Sequence, residues 1–204
     1  MIAVIEYGIG NVSSIVNMLK KIGVDACLAK TKEDILKADK LILPGVGSFD
    51  TGMRKLEASG MKEALLHHAT VLKKPLLGIC LGMQMLGLSS EEGQLPGLGL
   101  IPFHSVKFQL DPALKLKIPH MGWDLIELAH EGEITANIQT HPRYYFVHSY
   151  YAQCEDERDV LMWCEYGIKF AAAVQKDNVV GFQFHPEKSH QFGMTLLANF
   201  AKEV

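Results

Sequence analysis

The sequence lacks nearly every feature that marks an exported, membrane-bound or nucleic-acid-binding chain. Its four cysteines, Cys27, Cys80, Cys154 and Cys164, form no Cys-x-x-Cys pair, so they read as reduced thiols of a cytoplasmic protein. Nine histidines are present, yet none stands in a His-Glu-x-x-His or Cys/His ligand spacing, and no metal is expected. No Gly-x-x-x-x-Gly-Lys-Ser/Thr segment occurs, so nothing points to ATP. Lys and Arg form no block and the formal net charge is only −3, which gives no reason to expect nucleic acid or an anionic membrane as partner. No apolar run could span a bilayer; the short one at residues 2–6 reads as a buried strand. Repeats, low-complexity segments and linkers are also missing. A hydrophobic content of 48% with 21% charged residues suits one globular domain over residues 1–204.

What is present alternates. In the first half, apolar runs at 2–6, 25–29, 40–43 and 75–78 are separated by amphipathic stretches at 12–22, 49–58 and 61–72. Short buried strands alternating with helices imply βαβ units and a parallel sheet. The second half is strand-like at 105–108, 124–127, 144–151, 160–166, 170–174 and 179–184, and closes with a helix over 191–201. The expected fold is therefore α/β: a single open mixed sheet, mainly parallel and flanked by helices, with an antiparallel extension in the C-terminal half. Gly8-Ile9-Gly10 half-matches a dinucleotide fingerprint, but Ser13 stands at the third glycine position, and a tight turn is the better reading.

Chemistry gathers at Gly78-Ile79-Cys80-Leu81-Gly82, directly after the run 75–78. Glycines two residues either side of a nucleophile let a strand turn sharply into a helix, as in a nucleophile elbow with cysteine in place of serine. A nucleophilic thiol needs a base, and the base needs a group to orient it. His185 follows the strand 179–184, Pro186 stops the strand, and Glu187 stands two residues on, which suggests a triad Cys80–His185–Glu187. His148 is the rival base; His67, His68 and His130 read as exposed. The Leu81 amide is one oxyanion donor by elbow geometry, and the loop Pro44-Gly45-Val46-Gly47 is a candidate for another through Val46 and Gly47. Taken singly, these residues allow plainer readings: a core cysteine, a surface-turn histidine, a simple turn.

Together, Leu43-Pro44-Gly45-Val46-Gly47, the 78–84 segment and Phe182-Gln183-Phe184-His185-Pro186-Glu187-Lys188-Ser189 resemble the triad-type (class I) glutamine amidotransferases. Tyr7-Gly8-Ile9-Gly10-Asn11, Ile118-Pro119-His120-Met121-Gly122-Trp123 and Tyr145-Phe146-Val147-His148-Ser149-Tyr150 extend the likeness to the glutaminase subunits that serve imidazole glycerol phosphate synthases. The resemblance implies L-glutamine as substrate, held by Gln84, Glu92, Ser149 and Tyr150 beside Gly47. It implies no cofactor. It further implies a heterodimer with a (β/α)8-barrel cyclase that receives the ammonia, met by His120, Met121, Trp123, Tyr145 and Lys188. Glu6 and Asp124 depart from the pattern, which has aspartate and asparagine there. Two other readings stay open on these residues: a glutaminase of pyridoxal phosphate synthase type, or a non-catalytic subunit or hydrolase of another kind.

Overall fold

Four consecutive buried apolar residues make Ile2–Ile5 (β1) a strand covered on both faces. In the computed structural model, which describes residues 1–202, the chain continues through α1 (Val12–Lys21), β2 (Ala26–Ala29), α2 (Lys32–Lys37), β3 (Lys40–Gly45) and α3 (Phe49–Ala58). Then come α4 (Lys62–Thr70), β4 (Leu76–Cys80), α5 (Leu81–Leu86), β5 (Ser89–Ser90) and β6 (Phe103–Lys107). The rest comprises β7 (His120–Leu128), β8 (Arg143–His148), β9 (Tyr150–Cys154), β10 (Val160–Glu165), β11 (Lys169–Lys176), β12 (Val179–Phe182) and α6 (His190–Lys202).

The strands join one open mixed sheet in the order β2-β1-β3-β4-β12-β11-β10-β7-β8, with β9 attached to β11 and β6, and β5 to β6. Pairing is parallel from β2 to β12 and antiparallel from β12 outwards along that path. Two apolar layers cover the sheet. On one face α2, α3, α4 and α5 contribute Ile35, Phe49, Met53, Leu65 and Met85. On the other, α1 and α6 contribute Ile15, Leu19, Leu196, Leu197 and Phe200.

Local chemistry explains where elements fall that the apolar pattern does not mark. Helix α2 is held by a reciprocal cap: the Thr31 hydroxyl accepts from the Asp34 amide at 3.2 Å, and the Asp34 carboxylate accepts from the Thr31 amide at 3.0 Å. All six residues of α5 are buried, so it has no amphipathic signature to read. The run 144–151 is two strands, not one. β8 pairs with β7 while β9 turns away to β6 and β11. His68, expected on the surface, is buried on the inner side of α4, where its Nε2 lies 3.2 Å from the Pro75 carbonyl.

One insertion positions the site. β12 joins the two halves: it is antiparallel to β11 and parallel to β4, with Gly181 opposite Gly78 and Phe182 opposite Ile79. On the other side of β4, Gly45 of β3 lies opposite Cys80. The carboxyl ends of β3, β4 and β12 therefore sit side by side, which is where open α/β sheets carry their ligands.

Candidate active site

Cys80 ends β4 and caps α5 with φ 55° and ψ −113°, a conformation that L-residues adopt only under constraint. Packing supplies the constraint. A Cβ on Gly82 would drive into the Leu43 carbonyl, and one on Gly45 would come within 2.6 Å of the Gly82 amide nitrogen. The end of β3 and the start of α5 thus touch backbone to backbone. The elbow is fixed, and it aims the Cys80 side chain into a cavity of about 300 Å³.

The cavity is lined by Val46, Gly47, Leu81, Gln84, Glu92, Ser149, Tyr150 and His185, along with Pro119, Val147 and His148. Residues expected as triad, oxyanion and substrate-binding groups thus surround one space, except Glu187, which lies behind His185. Glu187 Oε1 is 2.8 Å from His185 Nδ1, and both side chains are almost wholly buried. The carboxylate accepts the Nδ1 proton and leaves Nε2 to face the thiol side. Nε2 is buried without a hydrogen-bond partner. The ring nevertheless feels the sulfur: burial depresses its pKa, but Cys80 and Glu187 outweigh burial and raise it from 6.5 to about 9. His185 is accordingly an imidazolium at neutral pH when the thiolate forms beside it.

The rival base is excluded by its surroundings. His148 is buried, and desolvation foremost drives its pKa down to about 3. Its Nδ1 donates to the Tyr150 carbonyl at 2.8 Å, so it lines the cavity as a neutral ring.

The residues expected as oxyanion donors lie in the loop after β3 and at the start of α5. Leu81 begins α5, and its amide is one of the donors a helix start leaves unpaired. Gly47 has φ +99° with open space around it, whereas Gly45 is locked against Gly82. Freedom in that loop rests with Gly47 and the exposed Val46, not with both glycines.

Glu92 is not a freely solvated acid. Its Oε2 accepts the Phe49 amide at 2.8 Å at the start of α3. Gln84 Nε2 donates to the Tyr150 carbonyl at 3.3 Å and to Gln183 Oε1 at 3.0 Å. Gln183 itself escaped the sequence reading, although it stands within the Phe182–Glu187 motif: its Nε2 reaches toward Cys80 Sγ at 4.0 Å. Tyr7, also unassigned, donates from its hydroxyl to the Pro44 carbonyl at 2.7 Å and braces the elbow from beneath. Burial, reinforced by Cys80, pushes its pKa up.

The surface residues divide. On β7, Met121, Trp123 and Leu125 project to solvent at 61%, 38% and 58% exposure. Tyr145 lies opposite Trp123 across the β7–β8 pair, and Lys188 Nζ sits 5.6 Å above the Tyr145 ring. His120 does not belong with them. Side chains alternate across a strand, and His120 faces inward, fully buried, bonded to His148 and Asp124. The expectation that it meets a partner directly is therefore withdrawn.

Among the described residues no cluster of His, Cys, Asp or Glu could hold a metal ion, and no helix is long and apolar enough to cross a membrane.

A strained cysteine elbow, a buried His–Glu pair and the backbone of two loops around one cavity have the geometry a cysteine-dependent acyl-transfer site requires. The chain belongs to the class-I glutamine amidotransferase family, whose description it matches over residues 3–204. It is 52% identical over 204 residues to imidazole glycerol phosphate synthase subunit HisH 2 of Pseudomonas aeruginosa, with 100% of each chain covered. It is 54% identical over 204 residues to the protein of that name from Methanococcus maripaludis, again with 100% of each covered. Its fold is shared with a crystal structure of a glutamine amidotransferase at a TM-score of 0.74, with 18% identity, 97% of this chain and 96% of that one. PurLQS from Thermotoga maritima matches at a TM-score of 0.69 with 18% identity, covering 98% of this chain and 96% of that chain.

Proposed function

We propose that this chain hydrolyses L-glutamine to glutamate and ammonia and delivers the ammonia to a (β/α)8-barrel cyclase, as the glutaminase half of an imidazole glycerol phosphate synthase of the cytoplasm. The observation that carries it is the Cys80 elbow facing the same cavity as a buried His185–Glu187 pair joined at 2.8 Å. Full-length similarity to subunits of that synthase supports the assignment of pathway.

The residues divide the work as follows. The Cys80 thiolate attacks the side-chain amide carbon of glutamine, and the Leu81 and Gly47 amides receive the charge that develops on oxygen. His185 passes its Nε2 proton to the departing ammonia, leaving a thioester on Cys80. It then takes a proton from water, which attacks the thioester carbon, releases glutamate and regenerates the thiolate. Glu187 holds the ring and stabilises its charged form. Gln84, Glu92, Ser149 and Tyr150 bind the amino-acid end of the substrate; a carboxylate such as Glu92 suits an α-ammonium.

The sequence carries no Gly-x-x-x-x-Gly-Lys-Ser/Thr motif, and we assign the acceptor chemistry to a partner. The outward apolar face of β7, Met121, Trp123 and Leu125, with Tyr145 and Lys188 beside it, is the surface that supports this part of the reading. Glutamine hydrolysis measured for the chain alone, with a barrel cyclase, and with Cys80→Ala in both settings tests the proposal. Turnover should depend on Cys80 and rise with the cyclase. Glutaminase activity persisting in Cys80→Ala would overturn it.

A further inference from the structure

An unbroken line of polar contacts runs from the surface of β7 to the nucleophile. Asp124 Oδ2 lies 2.6 Å from His120 Nε2, and His120 Nδ1 lies 3.0 Å from His148 Nε2. His148 Nδ1 lies 2.8 Å from the Tyr150 carbonyl, which also receives Gln84 Nε2 at 3.3 Å. Gln84 continues to Gln183 at 3.0 Å, and Gln183 reaches toward Cys80 Sγ at 4.0 Å.

The first three contacts pose a proton-counting problem. An ionised carboxylate and a carbonyl can only accept, so a hydrogen must sit in each contact between them. Two neutral imidazoles own one ring proton each. Three contacts need three. We propose that Asp124, His120 and His148 form a relay that holds one proton beyond those of two neutral rings, and that it positions the Ser149–Tyr150 wall of the cavity. The relay rests on the reading of that cavity as the glutamine site.

The extra proton belongs on His120 or is shared along its short bond to Asp124. His148 donates from Nδ1 to the carbonyl, so its Nε2 accepts from His120. The His120 ring lies between two aromatic faces, Phe146 at 4.8 Å and Tyr166 at 4.0 Å, each within 23° of parallel. Burial comes first and pulls the His120 pKa below its ordinary value, against the Asp124 carboxylate, which raises it. The aromatic sandwich adds to the carboxylate's side, and the hydrogen count of the three contacts is what places the extra proton. The titratable groups facing the relay are Tyr166 over His120, His185 toward His148 and Cys164 toward Asp124; Phe108 and Phe170 close the remaining sides. Raising the pH removes the extra proton, and one of the three contacts must then open. A carboxylate is essential to this behaviour. An amide in its place can donate to His120 Nε2 and satisfy the line with two neutral rings.

The experiment is imidazole ¹⁵N and carboxyl ¹³C NMR on the full chain without glutamine, comparing wild type with Asp124→Asn near pH 7. Wild type should show neutral Nδ1-protonated His148 and a second proton on the His120 ring or on the Asp124 carboxyl. Asp124→Asn should show two neutral rings with the His148 tautomer unchanged. Equal proton counts in the two proteins would overturn the relay, whatever the enzyme's activity. Positioning has its own readout: Asp124→Leu should raise the glutamine KM about fivefold, the scale of one lost hydrogen bond, with kcat much less affected, and Asp124→Asn should restore it. An unchanged KM in Asp124→Leu would remove the positioning role. Absence of glutaminase activity in the wild type with its cyclase would instead refute the glutamine reading, and the NMR count would still decide the relay.

Discussion

In the proposed mechanism Glu187 acts because it is buried. A solvated carboxylate two residues from a histidine would be worth little, but this one is held 2.8 Å from Nδ1 with almost no exposure. Glu187→Gln keeps the shape and loses the charge, so turnover should fall, though less than in Cys80→Ala, where the loss should reach at least ~10³-fold. Kinetics of the two variants side by side check this order. The raised His185 pKa also gives a pH dependence with a definite sign. Because the folded value, about 9, exceeds the ordinary 6.5, the stabilisation is complete below 6.5 and is lost as pH rises through about 9. The melting-temperature advantage of wild type over Glu187→Gln should therefore be full at about pH 6.5, largely kept at neutral pH, and shrink toward pH 10. A gap that widens with pH would contradict the assignment. Much of this was legible in the sequence: the glycines around Cys80 and the Pro186–Glu187 sequel to His185 state their chemistry locally. Gln183 was not legible, because an amide just past a strand carries no signal until the strand's neighbour is known.

Among the elements, the β3–α5 junction is closed backbone to backbone. Gly82→Ala places a methyl against the Leu43 carbonyl, and backbone cannot move aside as a side chain can. The expected cost is about 1–3 kcal/mol of stability with loss of activity, read by denaturant unfolding and by glutamine turnover. Gly23→Ala is a useful contrast: its positive φ is strained for alanine too, but nothing lies within 4 Å of the added carbon. The elements themselves were legible to different degrees. α1, α3 and the first-half strands announce themselves by period and burial. α5 does not, since a helix buried all round shows no stripe, and α2 is visible only through its cap. β7 was under-read as 124–127 because Gly122 and the polar inward residues His120 and Asp124 interrupt the apolar alternation. That interruption is the relay itself.

For the whole molecule, the least legible fact is the place of β12. Nothing in Val179–Phe182 says that it returns to lie between β4 and β11, since a short apolar strand is equally at home in either half. The proposed partner surface follows from the arrangement beyond it, where β7 and β8 close the sheet with an apolar outer face. Trp123→Ala and Met121→Asp should weaken cyclase binding by at least ~10-fold, the scale of a central aromatic anchor, while leaving the melting temperature of the isolated chain within about a degree or two. Titration calorimetry against the cyclase, with thermal melts of the free subunit, makes the comparison. Unaltered affinity would move the docking face elsewhere.

The position of β12 also sets an order of events during synthesis. The ribosome releases the Cys80 elbow long before the strand that leads to Gln183 and His185. Until that late strand inserts beside β4, neither His185 nor Gln183 stands near the sulfur. A nascent or truncated chain therefore carries the thiol without its proposed base. Reactivity toward amides arises only when the last strand of the sheet closes a contact between distant parts of the chain, so that completing the fold and arming the nucleophile are one event.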